Sequence, residues 1–454
     1  MERNLVYLFL AAHREHAIPR QSQMLSSDPV QQISVSGSIL LTGSRVSNEP
    51  IMNPSGQRGS KILVNLMRIG QWIVICCSLR GCEMKIKRLE LQGHGDLEQL
   101  FHRFDEPPLH LSELNINVRD TLPSTSSSSR VIDAVAHSDK NRDEEGETAP
   151  YFFQFRFLEW IGTSMKLLNK IVLKNVTFLQ SLRIDFSKLK SLRHLDLSGC
   201  TNMTKMPNSF SKLTHLQYLA LRDCKNLSMP TDILGEISTL EYVDFEGCAK
   251  LIYWPKAMAY QRSLRYLNLL RTQLLQLPMN LELFDMLEQL RIGSSQLTEL
   301  QHSIDELMRL EELILIDCRS LERILPEEIA GPNIKALVIE GAPLIDHFIF
   351  ENHVTVDVGM FVLRDFTMKN TSISEICIPE GVYSSLETVD LSHNSRLMQV
   401  YGLPSKLVRL NLQGCSRLET LTHLSNLVNL KFLNINGCLA LKTLNLKGIT
   451  MWKR

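Results

Sequence analysis

The stretch Leu192-Arg-His-Leu-Asp-Leu-Ser-Gly-Cys200 returns twice in this chain of 454 residues. It comes back as Leu216-Gln-Tyr-Leu-Ala-Leu-Arg-Asp-Cys224 and as Leu240-Glu-Tyr-Val-Asp-Phe-Glu-Gly-Cys248. Further openings of the same pattern stand at Leu264, Leu287, Leu310 and Ile334, so the interval between successive openings is nearly constant. A constant period of this length predicts a solenoid of stacked repeats.

The first half of each repeat has the pattern of a half-buried strand. In the opening quoted above, Leu195 and Leu197 alternate with His194, Asp196 and Ser198, so the leucines are expected to face the core. Strands of neighbouring repeats then lie about 4.8 Å apart in a parallel sheet. The pattern L-x-x-L-x-L-x-x-C/N is that of leucine-rich repeats. The expected fold class is therefore an α/β solenoid, a leucine-rich-repeat horseshoe with a parallel concave sheet and short helical or irregular convex segments.

The second half of the repeat carries a proline followed three positions later by an apolar residue. Proline suits the first turn of a short helix, because its φ is fixed and an N–H in that turn would have no acceptor within the helix. The apolar residue is then expected to fill the core. The pairs are Pro207 with Phe210, Pro230 with Ile233, Pro255 with Met258, Pro278 with Leu281, and Pro326 with Ile329.

The regular array opens at Leu168 and is assigned to a main solenoid over residues 151–454, with about 12 to 13 repeats. After Ile334 the next opening, Leu363, comes later than the period requires, and the extra residues are placed in an island at 344–360, which is expected to project from the solenoid. The remaining openings are Leu386, Leu407 and Leu430, and Leu444-Asn-Leu446 is predicted to be the last strand.

Three segments precede this array. Residues 1–60 are rich in Ser, Gln, Pro, Gly and Asn and are predicted to be disordered or poorly structured. Residues 61–120 are predicted to hold degenerate repeats, since Ile86–Leu91 and Leu111–Ile116 match the opening pattern at close to the same period. Residues 121–150 are a Ser-rich and acidic linker or insertion, which limited proteolysis should cut readily.

Composition and motifs argue against several functions. Lysine plus arginine equals aspartate plus glutamate, 49 each, which disfavours a nucleic-acid partner. No run approaches about 18 consecutive apolar residues, so no membrane span is expected. The sequence has no G-x-x-x-x-G-K-[ST], G-x-S-x-G or H-E-x-x-H motif. We therefore expect a non-catalytic protein with no catalytic, cofactor-binding or metal-binding residues.

Six of the ten cysteines occupy one repeat position, the last of the opening pattern. They are Cys200, Cys224, Cys248, Cys318, Cys415 and Cys438. Other repeats have Thr272, Ser295, Ala342, Thr371 or Asn394 there. A small, semi-polar side chain in a buried turn explains the whole set, so we predict reduced, buried thiols that bond to backbone. Reduced thiols favour a cytoplasmic location, with the nucleus possible and secretion disfavoured.

Three features occur together: cysteine closing the strand, a L-P-x-x-[IL] second half, and the nearly constant period. With this combination the chain resembles the leucine-rich-repeat region of plant nucleotide-binding leucine-rich-repeat disease-resistance proteins. The resemblance is seen in Leu192–Cys200 with Met206–Phe210 and in Leu410–Leu418. The resemblance covers Leu168 to Leu446. It does not extend to a nucleotide-binding domain, for which this sequence has no phosphate-binding loop. It implies a protein-binding role in plant defence: recognition of a pathogen effector or host protein, or regulation of a resistance protein.

Two alternatives remain open at this point. A general intracellular signalling scaffold of the Ras-group repeat type would also bind proteins, although its repeats prefer asparagine where this chain mostly has cysteine. A secreted protein or receptor ectodomain would use the sequons at Asn175, Asn202, Asn226 and Asn370 for glycosylation. The oligomeric state does not follow from the sequence.

Outward positions beside the strand core supply the candidate binding surface. Tyr218, Tyr242 and Tyr266 share the second position after the opening, which predicts an aromatic ladder over three strands. Other outward residues expected to contact a protein are Arg222, Asp244, Glu246, Asn268, Arg271 and Arg291, and an apolar patch of Ile314, Ile316 and Val338. Exposed tyrosines favour protein contacts. The simpler interpretation is that aromatic and β-branched residues favour strands and cover one another.

Overall fold

The computed structural model describes residues 61–66, 88–93, 111–118, 161–177, 182, 184–228, 237–254, 261–277, 281–300, 304, 307–324, 333–348, 362–378, 383–421 and 424–442. The predicted disordered start at 1–60, the linker at 121–150 and the last strand at Leu444–Leu446 lie outside these residues. The chain forms two compact units, residues 1–176 with 182–194, and residues 177–181 with 195–454.

The described residues of the first unit form four strands in chain order, β1 (Lys61–Leu66), β2 (Arg88–Gly93), β3 (Glu113–Val118) and β4 (Lys170–Lys174). Each pairs in parallel with the next, with Leu89 opposite Leu114 and Ile116 opposite Leu173. The described residues of the two openings, 88–91 and 111–116, therefore lie on or directly before neighbouring parallel strands.

The second unit carries the regular repeats. Its main sheet has eleven described strands: β5 (His194–Asp196), β6 (Tyr218–Ala220), β7 (Tyr242–Asp244), β8 (Tyr266–Thr272), β9 (Gln289–Ser294), β10 (Glu312–Ile316), β11 (Ala336–Glu340), β12 (Asp365–Lys369), β14 (Thr388–Asp390), β16 (Arg409–Asn411) and β18 (Phe432–Asn434). Neighbours from β6 onward pair in parallel. This confirms the predicted parallel solenoid.

The leucine pattern decides which face of the sheet is buried. In β10, Leu313 and Leu315 are 0 and 1% exposed, while the alternating Ile314 and Ile316 are half-buried. Burying one such leucine side chain stabilises the fold by about 1.5 to 3 kcal/mol. We call the opposite side of the main sheet, which bears the second, fourth and sixth residues after each opening, the outer face.

Many of the strands are followed by a left-handed turn residue just before the cysteine position. Gly247 has φ 73°, Asp223 has φ 55° and Arg271 has φ 56°. Glycine adopts this conformation without steric cost, and aspartate tolerates it better than most residues do. The Gly or Asp that precedes many of the cysteines is therefore needed for the turn.

The predicted role of the positional cysteines is confirmed where the bonds are described. The thiol of Cys224 donates to the carbonyl of Leu197 at 3.2 Å, and the thiol of Cys248 donates to that of Leu221 at 3.1 Å. Each bond joins a repeat to the one before it. Burial raises the pKa of Cys248 to about 12 and that of Cys318 to about 11, so both thiols stay protonated at neutral pH. Cys438 is only half-buried.

One assignment at this position was wrong. Ser295 is exposed, and Ser294 takes the buried place: its hydroxyl donates to the carbonyl of Leu274 at 2.8 Å. The cause is an irregularity between Leu269 and Thr272, which pairs Thr272 with Ser294. Counting from the opening leucine therefore runs one position too far in this repeat.

The second half of the repeat is short and mostly irregular. Turns of 3-10 helix span Phe186–Lys188, Asn208–Lys212, Leu281–Leu283 and Leu424–Asn426. Phe210 and Leu281 are fully buried, as predicted for residues that fill the core. Pro207 precedes its turn as the N-cap rather than standing inside it, and the other four prolines lie outside the described residues. Among the described helices, none is long and apolar enough to cross a membrane.

A second small sheet was not predicted. Strands β13 (Glu375–Cys377), β15 (Gln399–Tyr401) and β17 (Thr420–Leu421) pair in parallel in the second halves of three repeats. Ile376 and Val400 are buried on one side of it, while Cys377 and Tyr401 are half-exposed. Their alternation is the same period of two that forms the main sheet.

The island predicted at 344–360 does not begin at Leu344. Ile345 and Phe348 are buried in the core, and the Phe348 ring stacks on Phe366 with 5.8 Å between ring centroids. Residues 344–348 therefore belong to the regular repeat, because their apolar side chains fill its second half. Residues 349–361 lie outside the described part of the chain.

Candidate protein-binding surface

Three tyrosines form a stacked ladder on the outer face of the second unit. Tyr218, Tyr242 and Tyr266 are direct partners in the register of β6, β7 and β8. Their ring centroids are 4.3 and 4.2 Å apart, and the ring planes differ by 8° and 2°. This confirms the ladder predicted from the repeat position, because parallel strands in constant register bring equivalent side chains together.

Stacking determines which atoms of the ladder face outward. The rings cover one another's faces, so a partner meets ring edges and hydroxyl groups, and aromatic edges carry partial positive charge. The Tyr242 hydroxyl donates to Oδ2 of Asp244 at 3.3 Å. Burial and the neighbouring Asp244 raise the pKa of Tyr242, and burial with Asp196 raises the pKa of Tyr218. These phenols therefore remain neutral hydrogen-bond donors.

An arginine network adjoins the ladder. Arg222 contacts Glu246 and lies 3.5 Å from Asp244, so one carboxylate meets both the Tyr242 hydroxyl and a guanidinium. Arg271 contacts Glu246 at 3.0 Å and Asp223 at 3.1 Å. Burial alone would raise the pKa of Glu246, but the two arginines outweigh burial and hold it below the ordinary value.

Asp244 and Asn268 were predicted to contact a partner, but both are only 1% exposed. Their side chains bond to backbone instead: Oδ1 of Asp244 accepts from the Glu246 N–H at 3.0 Å, and Oδ1 of Asn268 accepts from that of Leu270 at 3.1 Å. Asn268 also donates to Glu246 at 3.2 Å. These two residues support the surface from below, which corrects their predicted role as contact residues.

This bond from a side-chain oxygen to a backbone N–H explains why Asp or Asn recurs at the fourth position after the opening. In each case the side chain accepts from the backbone N–H two positions on, a local turn that removes this donor from the sheet. The other pairs are Asp196 with Ser198, Asp390 with Ser392, Asn411 with Gln413, and Asn434 with Asn436. Most strands that end this way are shorter than β10, β11 and β12, which lack it.

Asp223 is part of the network and was missed from the sequence. It lies in the left-handed turn after β6 and is 48 residues from its partner Arg271. The intervening repeat has Gly247 at the same place, where an added Cβ would lie 2.4 Å from Oδ1 of Asp223. Glycine between aspartate and arginine leaves room for an ion pair across two repeat spacings, but the repeat period does not by itself bring the two side chains into contact.

Arg291 extends the surface beyond the last tyrosine. Its guanidinium carbon lies 5.4 Å from the centroid of the Tyr266 ring, and its Nη2 is 3.4 Å from Glu312. A cation at this distance over a tyrosine is attracted by the ring. The ladder thus ends on an arginine side chain, a contact that the sequence did not predict.

The predicted apolar patch follows directly. Ile314 and Val338 are register partners, and Ile316 lies two positions along β10. All three are half-buried on the outer face, so they cover one another in part, as β-branched residues on adjacent strands do. Arg291 is the other neighbour of Ile314, which makes the patch continuous with the ladder.

No cluster of three or more His, Cys, Asp or Glu side chains arranged to hold a metal occurs in the described part of the chain. The side chains of the surface described above are aromatic, guanidinium, carboxylate and aliphatic groups.

Stacked parallel strands with a buried leucine pattern, a left-handed turn and a thiol bonded to the previous repeat define a leucine-rich-repeat protein. No protein-family model matches the chain. It is 32% identical over 155 residues to the disease resistance protein RPS4 of Arabidopsis thaliana, and equally to a form of it named as inactive. The match covers 33% of this chain and 12% of each relative. The chain thus shares a repeat segment with a plant disease-resistance protein.

Solved structures with a similar fold are leucine-rich-repeat proteins and receptors. The protein LIC12759 of Leptospira interrogans has a TM-score of 0.42 and 18% identity, over 73% of this chain and 86% of that one. A TDR receptor has a TM-score of 0.44 and 16% identity, over 77% of this chain and 58% of that one.

Proposed function

We propose that this chain is a non-catalytic recognition protein of plant defence, which binds a protein ligand through the tyrosine ladder and its arginine network. The ligand is a pathogen effector or a host protein, including a resistance protein that it would regulate. The ladder carries the proposal: three half-exposed rings, held in register by the sheet, present a rigid surface with few rotors to immobilise on binding.

The defence role is supported by the shared segment with the disease resistance protein RPS4. An intracellular location is supported by the thiols of Cys224, Cys248 and Cys415, which donate to backbone carbonyls and so serve the fold only when reduced. The apolar patch of Ile314, Ile316 and Val338 supports a contact that continues past Arg291, since buried apolar area adds to binding.

Affinity capture from a reducing plant lysate, followed by mass spectrometry, tests the proposal. Bait chains carrying Tyr218→Ala, Tyr242→Ala or Tyr266→Ala are compared with the unchanged chain. Tyr401→Ala is the matched control, because this half-exposed tyrosine lies on β15 of the small sheet. We expect Tyr242→Ala to weaken binding of a captured protein by about 2 kcal/mol or more, near 30-fold in Kd.

Folding of each variant is checked by its thermal melting curve. Captured proteins that bind all three folded ladder variants as tightly as the Tyr401→Ala control would show that the ladder is not the site.

A further inference from the structure

The charged groups beside the ladder are arranged in two layers. Side chains of Arg222 and Arg271 are 48 and 55% exposed, whereas those of Asp244 and Glu246 are 1 and 14% exposed. Two carboxylates of the network, Asp244 and Glu246, therefore lie beneath the guanidiniums, while the third, Asp223, is 39% exposed and lies beside Arg271. The exposed layer beside the ladder therefore holds the Arg222 and Arg271 guanidiniums and the Asp223 carboxylate, which is paired with Arg271.

The hydrogen bonds of Asp244 and Glu246 also leave the arginine N–H groups as the donors that face a partner. Asp244 accepts from Tyr242 and from the Glu246 backbone, and Glu246 accepts from both arginines. These bonds occupy the carboxylates, while each guanidinium has five N–H groups and retains unused donors. A complementary partner supplies acceptors and negative charge, and aromatic edges favour the same atoms.

The spacing of the two arginines limits which arrangement of carboxylates in a partner can contact both of them. Arg222 and Arg271 meet the two oxygens of one carboxylate, that of Glu246, so their contacting nitrogens lie within about 8 Å of each other at ordinary hydrogen-bond distances. Alternate residues of an extended chain stand on one side of it, about 6.7 Å apart. Two carboxylates at alternate positions of an extended segment fall within this limit, so one segment can contact both guanidiniums.

We propose that the tyrosine face binds an acidic, extended protein segment, with alternate carboxylates on Arg222 and Arg271 and the chain lying against the edges of the tyrosine ladder. This inference rests on the proposed function and specifies the chemistry of its partner. Asp223, which shares Arg271, competes with the segment for that guanidinium.

Fluorescence anisotropy on the full chain tests the proposal with a labelled twelve-residue peptide of alternating glutamate and serine. A peptide with glutamine in place of glutamate has the same shape without the charge. We expect saturable binding of the acidic peptide, and binding of the glutamine peptide weaker by about tenfold, because charge-assisted hydrogen bonds are the stronger ones.

Variants of the chain locate the contact. Arg222→Gln with Arg271→Gln should weaken binding of the acidic peptide about tenfold, and Asp223→Asn should tighten it about threefold by freeing Arg271. Asparagine suits position 223, since Asn175 and Asn370 adopt the same left-handed turn. Arg319→Gln is the control: Arg319 is exposed and lies 3.7 Å from Asp317, away from the ladder, and its loss should leave the Kd within about twofold.

Losing Arg222 leaves the buried Asp244 with one partner fewer, so the melting temperature of the double variant is measured as well. If that variant unfolds, the Asp223→Asn variant still decides the question. Failure of the acidic peptide to bind, equal binding of the glutamine peptide, or unchanged affinity in both the double variant and Asp223→Asn would overturn the proposal. If ladder variants still lose captured proteins in that case, only the acidic-segment proposal fails, and protein recognition by the ladder stands.

Discussion

Replacing Asn394 by alanine should destabilise the repeats on either side of it far more than any loss at a cysteine position. The Asn394 side chain is fully buried. Its Nδ2 donates to the carbonyls of Met368 and Leu391 at 2.8 and 2.9 Å, and its Oδ1 accepts from the backbone N–H and hydroxyl of Thr371 at 2.9 and 2.8 Å. One side chain thus satisfies groups in two repeats.

The expected cost follows from those bonds. The Thr371 N–H would be left buried without its partner, which costs about 1 to 3 kcal/mol, and each carbonyl would lose a bond that contributes about 0.5 to 1.5 kcal/mol. Together these losses amount to about 4 kcal/mol. Cys415→Ala is the matched control, because its thiol donates one bond, to Leu391 at 3.1 Å, and its loss should cost about 1 kcal/mol.

Hydrogen exchange followed by mass spectrometry measures the difference locally. A loss of about 4 kcal/mol corresponds to exchange faster by a factor of about a thousand for amides that open with this region. The effect should be confined to peptides from the repeats opening at Leu363 and Leu386 and their neighbours, because each repeat of a solenoid contacts only adjacent ones. Exchange in Asn394→Ala no faster than in Cys415→Ala would refute this reasoning.

Three further outcomes are expected. Gly247→Ala should lower stability by about 1 to 2 kcal/mol, because φ is 73° there and the new Cβ would meet Asp223. Adding Asp223→Gly should recover part of the loss. A melting curve that shows no loss for Gly247→Ala would contradict the predicted backbone strain and steric clash. Cys248 and Cys318 should resist iodoacetamide at pH 8 in the folded chain, since burial raises their pKa to about 12 and about 11, and should react after unfolding; equal labelling before and after, measured by mass spectrometry, would refute their burial. Burial raises the pKa of Asp244, so the folded chain binds a proton at this carboxylate more tightly than the unfolded chain does. The stability of the unchanged chain relative to Asp244→Asn should therefore rise as pH falls through the folded pKa towards 3.8. Denaturant midpoints that move the other way would contradict this pH dependence.

Much of the surface was predictable because equivalent positions of a repeat share one environment. The tyrosine ladder, Arg222, Arg291 and the apolar patch all lie where the second, fourth and sixth positions after each opening placed them. Position alone did not separate Asp244 and Asn268 from residues whose side chains reach the solvent. Both stand at outer-face positions, but their side chains turn back to the strand end and bond to backbone there.

The repeat period and the buried leucine pattern by themselves determined that this chain forms a parallel solenoid, since only stacked neighbours can bury the apolar edge of one repeat. They also determined the buried, bonded state of most of the positional thiols. Tertiary structure alone decided the irregularity that puts Ser294 rather than Ser295 in the core, the small sheet around Ile376 and Val400, and the ion pair of Asp223 with Arg271 across Gly247. The reason is physical: a period fixes which position faces the core, whereas a register shift or a contact between distant repeats depends on how particular side chains fit once the repeats are stacked.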